Sequence, residues 1–339
     1  MSSLERKSIW LCRLSSSLLL GITLLFPLKL LGAEQSAPQI QQSDRFDSME
    51  APRDYLSGKV VSFANYIDRF FGGDRHYQES NQSVLQMDLT RVAGFNGVRR
   101  FDLAARLNLR LPVTEGRLHL LLETDPENNI TNQPIIPGQA APTQGQAVLR
   151  NQVVAPSSVG LAARYETAVA NVWHFSTDWG LKFPIPVRPF VRTRGSYSAP
   201  MGEWRLTATQ SVYWFNTLGV GETTELDLER FISEPVLFRA TSTATWLNDK
   251  QNFDLRQDFS IYHTLNDRTA LLYQASVIGV SNPAYAVTDY VVLLLYRYRM
   301  HREWLFFELS PQLHFPQVMK YQPSPALSMR LEALFDESR

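Results

Sequence analysis

Residues 289–310 have the sequence DYVVLLLYRYRMHREWLFFELS, in which two apolar runs flank a short charged turn at 301–303. Arg297 and Arg299 alternate with tyrosines just ahead of that turn. Membrane barrels carry a girdle of aromatic side chains at each bilayer surface. Three aromatic residues stand beside the turn, where such a girdle would lie: Tyr296, Tyr298 and Trp304. The pattern predicts a hairpin that crosses a membrane as two β-strands.

Apolar and polar residues also alternate along residues 99–111. Successive side chains of a strand point to opposite faces, so this segment has one face suited to lipid and one suited to water. The first face consists of Phe101, Leu103, Ala105, Leu107, Leu109 and Leu111. The second consists of Arg100, Asp102, Ala104, Arg106, Asn108 and Arg110. A length of about a dozen residues fits a tilted crossing of a bilayer with a short overhang.

The same analysis over the rest of the chain predicts fourteen strands, an even number, as is usual for bacterial single-chain barrels. They lie at 82–92, 99–111, 117–125, 157–167, 171–183, 188–199, 203–216, 220–232, 235–247, 252–265, 268–281, 285–300, 303–315 and 324–335. Every second connection is short, as expected for periplasmic turns. Twelve strands is the alternative, if 117–125 and 188–199 are not full crossings. The predicted fold class is therefore all-β: a transmembrane, antiparallel, up-and-down β-barrel over residues 82–335.

The N-terminal segment has the layout of a secretory signal peptide over residues 1–33. Three basic residues come first, an apolar run follows at 18–26, and small residues at 31–33 offer a cleavage site. The alternative is an uncleaved anchor helix. Pro27 and Lys29 interrupt the apolar run before it reaches the ~20 residues that a spanning helix needs.

The charge balance and the cysteine content fit an exported protein. Residues 1–33 hold four of the 33 basic and one of the 33 acidic residues, so the remainder carries a net charge of −3. This charge is too small to indicate a nucleic-acid partner. The only cysteine, Cys12, lies in the same segment, so the remainder has no disulfide and no cysteine metal site. Beyond residue 33 the longest apolar run is 290–296, which excludes a helical membrane protein.

Residues 34–55 are polar and aperiodic, and we predict a disordered periplasmic leader there. Residues 56–73 then change to helical spacing, which predicts a short amphipathic periplasmic helix ending at two glycines. Its apolar face consists of Val60, Phe63, Ala64, Ile67 and Phe71. Two positions stay open for this helix: on the periplasmic rim of the barrel, or inside the lumen as a plug.

The connection 126–156 is about thirty residues long and rich in Pro, Gln, Asn and Gly. A structureless connection of that length is usually functional or disordered. We predict a long extracellular loop that either folds into the lumen as a constriction or caps it.

The alternation places a ring of charged side chains on the interior face of the predicted barrel. Eighteen of them are candidate pore-lining residues: Arg100, Arg106, Arg110, Arg164, Asp178, Arg192, Arg194, Arg205, Glu225, Asp227, Glu229, Arg239, Asp254, Arg256, Asp258, Asp289, Arg297 and Glu308. Two interpretations compete. In a water-filled pore, rings of charge tune ion selectivity. In a closed barrel, the same groups pair across strands. Fourteen strands enclose more space than the eight whose interior side chains can fill alone, which favours the channel.

A catalytic site is the weakest of the functional hypotheses. His174, Ser176 and Asp178 share one face of a strand, and they resemble the His-x-Ser of outer-membrane phospholipases. That family also needs an Asn on a nearby strand, and 188–199 contains none. The other histidines show no metal-ligand spacing. We therefore expect no catalytic residue, no cofactor and no metal, with a lipid-active hydrolase as the remote alternative.

Several stretches resemble a family of proteobacterial outer-membrane or exported proteins without an established activity. They are YIDRFFG at 66–72, GETTELDLER at 221–230, VTDY at 287–290, HREWLF at 301–306 and RLEALF at 330–335. The resemblance implies a location and no mechanism. The last stretch also resembles the assembly signal of outer-membrane barrels, with Leu331, Ala333 and Phe335 on one face, although four residues follow Phe335.

Taken together, the sequence predicts an outer-membrane barrel of a Gram-negative bacterium. The leading hypothesis is a porin-like passive channel for small polar or ionic solutes. A closed structural or binding barrel that presents the loop 126–156 is the alternative. The expected partners are outer-membrane lipids, the barrel assembly machinery during biogenesis and small polar solutes or ions, with no nucleic acid.

Overall fold

A computed structural model of the chain describes residues 63–71, 83–94, 99–111, 117–128, 152–154, 158–169, 172–248, 251–301 and 304–336. These residues form one α-helix, α1 at 63–70, two short 3₁₀ helices, Pro126–Asn128 and Gln317–Met319, and fifteen strands. The strands are β1 Val84–Ala93, β2 Arg99–Arg110, β3 Leu118–Thr124, β4 Gln152–Val154, β5 Val159–Val169, β6 Trp173–Lys182, β7 Arg188–Met201, β8 Trp204–Phe215, β9 Gly219–Ser233, β10 Val236–Leu247, β11 Asn252–Asn266, β12 Thr269–Val280, β13 Ala286–His301, β14 Leu305–Pro316 and β15 Ser324–Asp336.

Fourteen of these strands form a closed antiparallel barrel in chain order. Each strand pairs with the next, with β5 following β3, and β1 pairs with both β2 and β15 to close the wall. Closure removes the free sheet edges that would otherwise leave backbone groups unpaired. The prediction of fourteen strands is confirmed. The alternative of twelve is wrong, because β3 and β7 both span the wall between their neighbours.

The strand β4 was not predicted, and it lies within the connection 126–156 that we expected to be structureless. It pairs in parallel with Arg100–Asp102 of β2. The pairing of β2 with β3 covers only Arg106–Arg110, so β4 binds the part of β2 that β3 does not reach. Three residues are too few to show an alternation in the sequence, which is why this strand escaped prediction.

The two faces of the barrel wall differ in chemistry, and the distribution is the reverse of a soluble protein. Large apolar side chains are exposed on the outer face, such as Leu103 and Trp179, each more than half exposed. Polar and charged side chains are buried on the inner face, such as Arg164 and Glu229, both with no exposed surface. The alternation predicted from the sequence is therefore the inside–outside alternation of the wall. Of the residues that the structure describes, none belongs to a helix long and apolar enough to cross a membrane.

The helix α1 lies inside the barrel, at the end where the short turns join the strands. Ala64, Ile67, Phe70 and Phe71 are buried there. They pack against interior side chains from seven strands around the wall: Val84, Leu237, Tyr262, Leu272, Leu295, Phe306 and Leu334. Of the two positions left open by the sequence, the helix takes the one inside the lumen. The predicted signal peptide, the predicted leader and residues 56–62 and 72–73 of the predicted helix lie outside the described residues.

Candidate functional site in the barrel interior

The helix α1 is anchored in the lumen partly by aromatic contacts. The ring of Phe70 meets the ring of Phe306 edge to face, with the centroids 5.8 Å apart. The ring of Phe71 meets Tyr262 in the same way at 5.2 Å. Burying one such side chain contributes roughly 1.5–3 kcal/mol to stability, so the two together make a substantial apolar anchor.

A chain of ion pairs fixes the polar side of the helix. Nη2 of Arg239 donates to Oδ1 of Asp68 on the helix at 2.6 Å. Nε of the same arginine donates to Oε1 of Glu229 at 2.6 Å. Arg205 then donates to the other oxygen of Glu229, also at 2.6 Å. The helix is thus bound through one arginine to a network that spans β8, β9 and β10.

One exposed side of the helix faces the short turns. Tyr66 stacks on Phe70 with the ring centroids 6.0 Å apart. Burial raises the pKa of the Tyr66 hydroxyl above its ordinary value, an effect that the positive charge of Arg299 opposes and the negative charge of Asp267 reinforces.

A second network joins the strands on the opposite side, from β13 through β15 to β1. Arg330 donates to Glu308 through Nε and Nη2, at 2.7 and 2.8 Å. Arg297 donates to Glu332 at 2.7 Å and also binds Glu308. Its guanidinium lies 4.0 Å from the centroid of the Phe306 ring, which itself contacts the helix. Stacking of guanidinium on an aromatic face is favourable, so this network also supports the docked helix.

A third network lies on β3, β5, β6 and β7. Arg164 binds Asp178 through two hydrogen bonds, at 2.6 and 3.0 Å. Arg192 donates to the same carboxylate at 2.8 Å and approaches Glu123 at 3.4 Å. Bidentate pairs between arginine and carboxylate are the stronger and more directional kind of ion pair. This network stiffens the wall on the side where the sequence suggested a catalytic trio.

The structure does not bring His174, Ser176 and Asp178 into a catalytic arrangement. Asp178 is bound by Arg164 and Arg192, so it does not orient the histidine. Nε2 of His174 instead contacts Glu166. A nucleophile needs a base within hydrogen-bond reach, and among the described residues no hydrogen bond joins His174 to Ser176.

Glu166 joins two histidines that the sequence left scattered. One of its oxygens contacts Nε2 of His174, and the other lies 3.4 Å from Nε2 of His119. Nδ1 of His119 lies 2.8 Å from Oδ1 of Asn108. Among the described residues, no group of three or more His, Cys, Asp or Glu side chains is placed to hold a metal ion. The contacts of His174 with Glu166 and of His119 with Asn108 make this cluster a polar part of the interior wall.

The first residues of the long connection turn into the mouth of the barrel at the opposite end from the helix. Glu127 forms an ion pair with Lys182 on the inner face of β6. The ring of Pro126 packs on Gly160 of β5, where a Cβ atom would come within 2.8 Å of it. Below them lies a second interior apolar cluster, built from Leu121, Ala162, Phe190, Tyr213, Phe215 and Leu247.

The eighteen predicted pore-lining residues all lie on the inner face of the wall, at the alternate positions expected for them. Fourteen of them are buried, and Arg100, Arg110, Asp254 and Asp289 are partly exposed. Many are paired: Arg256 with Asp258 at 2.8 Å, Asp289 with His314 at 3.0 Å, and Asp227 with Thr241 at 2.5 Å. The predicted set omitted five charged residues of these networks: Asp68, Asp88, which lies 3.8 Å from Arg330, Glu123, Arg330 and Glu332. The last two alternate with Leu331 and Ala333, so the same periodicity could have identified them.

Comparison with known proteins gives a likeness of shape alone. No protein-family model matches the chain, and no curated protein does. One similar solved structure is OprB of Pseudomonas putida, at 10% identity and a TM-score of 0.46, covering 78% of this chain and 97% of that one. The outer-membrane channel DcaP of Acinetobacter baumannii has 8% identity and a TM-score of 0.39, covering 75% and 96%. The NanC porin has 9% identity and a TM-score of 0.35, covering 52% and 93%. At these TM-scores nothing about this chain's activity follows, and the family resemblance stays a prediction.

Proposed function

We propose that this chain is an outer-membrane β-barrel of a Gram-negative bacterium and forms a channel for small polar or ionic solutes, obstructed at its periplasmic end by α1. The observation that carries the proposal is the interior of a fourteen-strand barrel lined by charged side chains, with apolar side chains outside. An apolar outer face requires a lipid surrounding, and only a closed barrel lets strands cross a bilayer without unpaired backbone groups.

The width of the barrel supports a channel. Eight strands enclose an interior that side chains fill, while sixteen to eighteen leave an aqueous channel. Fourteen strands lie nearer the second case. In this barrel an element that is not part of the wall fills one end of the lumen. That element is the helix α1, which is held by side-chain contacts. The helix can therefore leave the lumen without breaking the backbone hydrogen bonds of the barrel. The short turns of such barrels face the periplasm, which places the helix at the periplasmic mouth.

The charges of the interior support passage of polar rather than apolar solutes. Glu225, Asp227 and Glu229 follow one another on the inner face of β9. Two basic residues lie on the inner faces of the preceding strands, Arg194 on β7 and Arg205 on β8. Charged side chains that line a lumen tune its selectivity, so this interior favours charged or dipolar solutes over apolar ones.

Solute flux into liposomes tests the proposal. The protein is refolded into vesicles, and swelling is measured in isotonic solutions of small neutral, cationic and anionic solutes. A variant that lacks residues 63–71 is measured beside the whole chain. We expect faster swelling for the variant, with a rate that falls as solute size increases. Vesicles with correctly inserted variant barrels that swell no faster than empty vesicles would contradict the channel.

A closed structural or binding barrel is the second candidate, because the interior charges are buried and largely paired across strands. Such networks are ordinary sheet chemistry and need no solute. The connection 126–156 would then be the functional part. Removing residues 129–151 separates the candidates, because a channel keeps or increases its flux, whereas a binding barrel loses its partner and shows no flux in either form.

A further inference from the structure

The outer face of the barrel is chemically uneven at mid-height. Six consecutive strands, β6 to β11, each carry one polar residue there, within about two positions of the middle of the strand. These residues, called here the polar stripe, are Thr177, Thr193, Gln210, Thr224, Ser242 and Gln257. They alternate with buried interior residues and are exposed or partly exposed, so they lie on the outer face.

The other eight strands of the barrel have no such residue at this height. Their outer faces carry Leu89, Leu103, Leu120, Ala163, Ala275, Val292, Pro311 and Met329 near the middle. The polar stripe is therefore confined to less than half of the circumference. This asymmetry needs a cause, because hydroxyl and amide groups that face hydrocarbon are destabilising unless they find hydrogen-bond partners.

The wall itself satisfies the polar stripe only in part. Thr224 donates to Oε1 of Gln210 at 2.6 Å, and Ser242 donates to Oε1 of Gln257 at 2.5 Å. Thr177 and Thr193 share a longer contact of 3.4 Å. The side-chain amide nitrogen of Gln210 donates to no other described residue. Gln210 lies near the middle of its strand, on the outer face that the proposed function places in lipid.

The surroundings of the polar stripe allow another backbone to come close. Three outer-face positions next to it carry alanine: Ala208, Ala240 and Ala244. Small residues let protein surfaces approach each other closely within a bilayer. On the opposite wall the outer residues at the same height are apolar, both large, as Val292 and Met329, and small, as Ala275.

We propose that the outer face of β6–β11 binds a second copy of this chain, as a twofold pair within the membrane. The inference rests on the membrane location in the proposed function. All six residues of the polar stripe are neutral, and each carries groups that both donate and accept hydrogen bonds. A twofold contact brings the same patch of each copy together, which requires such self-complementarity. A partner recognised by charge would need charged residues in the stripe, and there are none.

Cysteine cross-linking in native outer membranes tests the pairing. Cys12 is the only natural cysteine, and Cys12→Ser is present in every variant. Gln210→Cys and Ser242→Cys then place a single thiol in the polar stripe, and Met329→Cys places one at the same height on the opposite wall as the matched control. After mild oxidation we expect a disulfide-linked band of twice the chain mass for at least one stripe variant and none for the control. Stripe variants that cross-link to a protein of another mass would overturn the proposal, and so would variants that stay monomeric like Met329→Cys if the measurement below also finds a monomer.

A second measurement detects a dimer in which the introduced cysteines lie too far apart to form a disulfide. The mass of the barrel in nanodiscs is determined for the natural chain and for a variant with Gln210→Leu, Thr224→Val, Ser242→Ala and Gln257→Leu. We expect a dimer that dissociates about tenfold more readily in the variant, because several interfacial hydrogen bonds are lost. A natural chain that is monomeric by both measurements overturns the inference. If such monomers sit in the outer membrane and pass solutes, the proposed function stands, whereas chains absent from that membrane would end both.

Discussion

Asp68 on α1 accepts a hydrogen bond of 2.6 Å from Nη2 of Arg239 on the inner face of β10, across 171 residues of sequence. The same arginine donates to Glu229 through Nε. The contact therefore joins a short helix to a wall that stays hydrogen-bonded without it. It is the polar link that we expect to decide how firmly the lumen is plugged.

Asp68→Asn is expected to loosen the helix. The substitution keeps an oxygen acceptor and removes the charge, while Arg239 stays paired with Glu229. Hydrogen bonds to charged groups contribute about 1.5–3 kcal/mol, so the helix should leave its docked position at least about tenfold more often. Amide hydrogen exchange of residues 63–71 measures this opening. Asn65→Ala, on the exposed side of the same helix, is the control, and equal exchange in both variants would contradict the link.

Asp178→Asn is expected to destabilise the whole barrel. Two buried guanidinium groups, those of Arg164 and Arg192, share that carboxylate. Removing one partner of a buried ion pair costs roughly 3–5 kcal/mol, because the remaining charge is left uncompensated. The free energy of unfolding in urea, measured in vesicles, should fall accordingly. Asp267→Asn, an exposed acid in a short turn, should change it little, and a similar loss in both would argue against the network.

Replacing Arg194, Arg205 and Arg239 by glutamine is expected to shift ion selectivity towards cations. The acidic residues of β9 would then dominate the field in the lumen. Because Arg239 also binds the helix, the substitutions are made in a barrel that lacks residues 63–71. The reversal potential in a salt gradient reports the change. Arg91→Gln and Arg230→Gln, on the outer face, serve as the control, and a triple variant with their reversal potential would refute the assignment of these arginines to the pore.

Ser176→Ala is expected to leave any lipid hydrolysis unchanged. Asp178 is engaged by two arginines, and Nε2 of His174 contacts Glu166 rather than Ser176, so the hydroxyl has no base to activate it. A phospholipase assay on the natural chain and on Ser176→Ala checks this. Activity in the natural chain that disappears in the variant would revive the hydrolase hypothesis.

The alternation of residues was enough to predict the barrel, because its walls separate lipid from the interior at every position. It placed Arg164, Asp178 and the other candidate residues on the correct face. It could not predict which charges pair, because the partners of Arg330 or Arg239 depend on strand register and on contacts across the lumen. The position of α1 depends on contacts across the lumen, both the apolar packing of Phe70 and Phe71 and the hydrogen bond of Asp68 with Arg239. The polar stripe appears only when the strands are aligned by height.

Single-channel conductance in a planar bilayer tests the central claim most directly. The natural chain and the variant without residues 63–71 are compared at the same protein concentration and at several salt concentrations. The account predicts brief or small openings for the natural chain, and large, stable steps that scale with salt for the variant. A variant that inserts as a folded barrel and stays electrically silent, even after residues 129–151 are also removed, would contradict the channel and leave the closed barrel as the function.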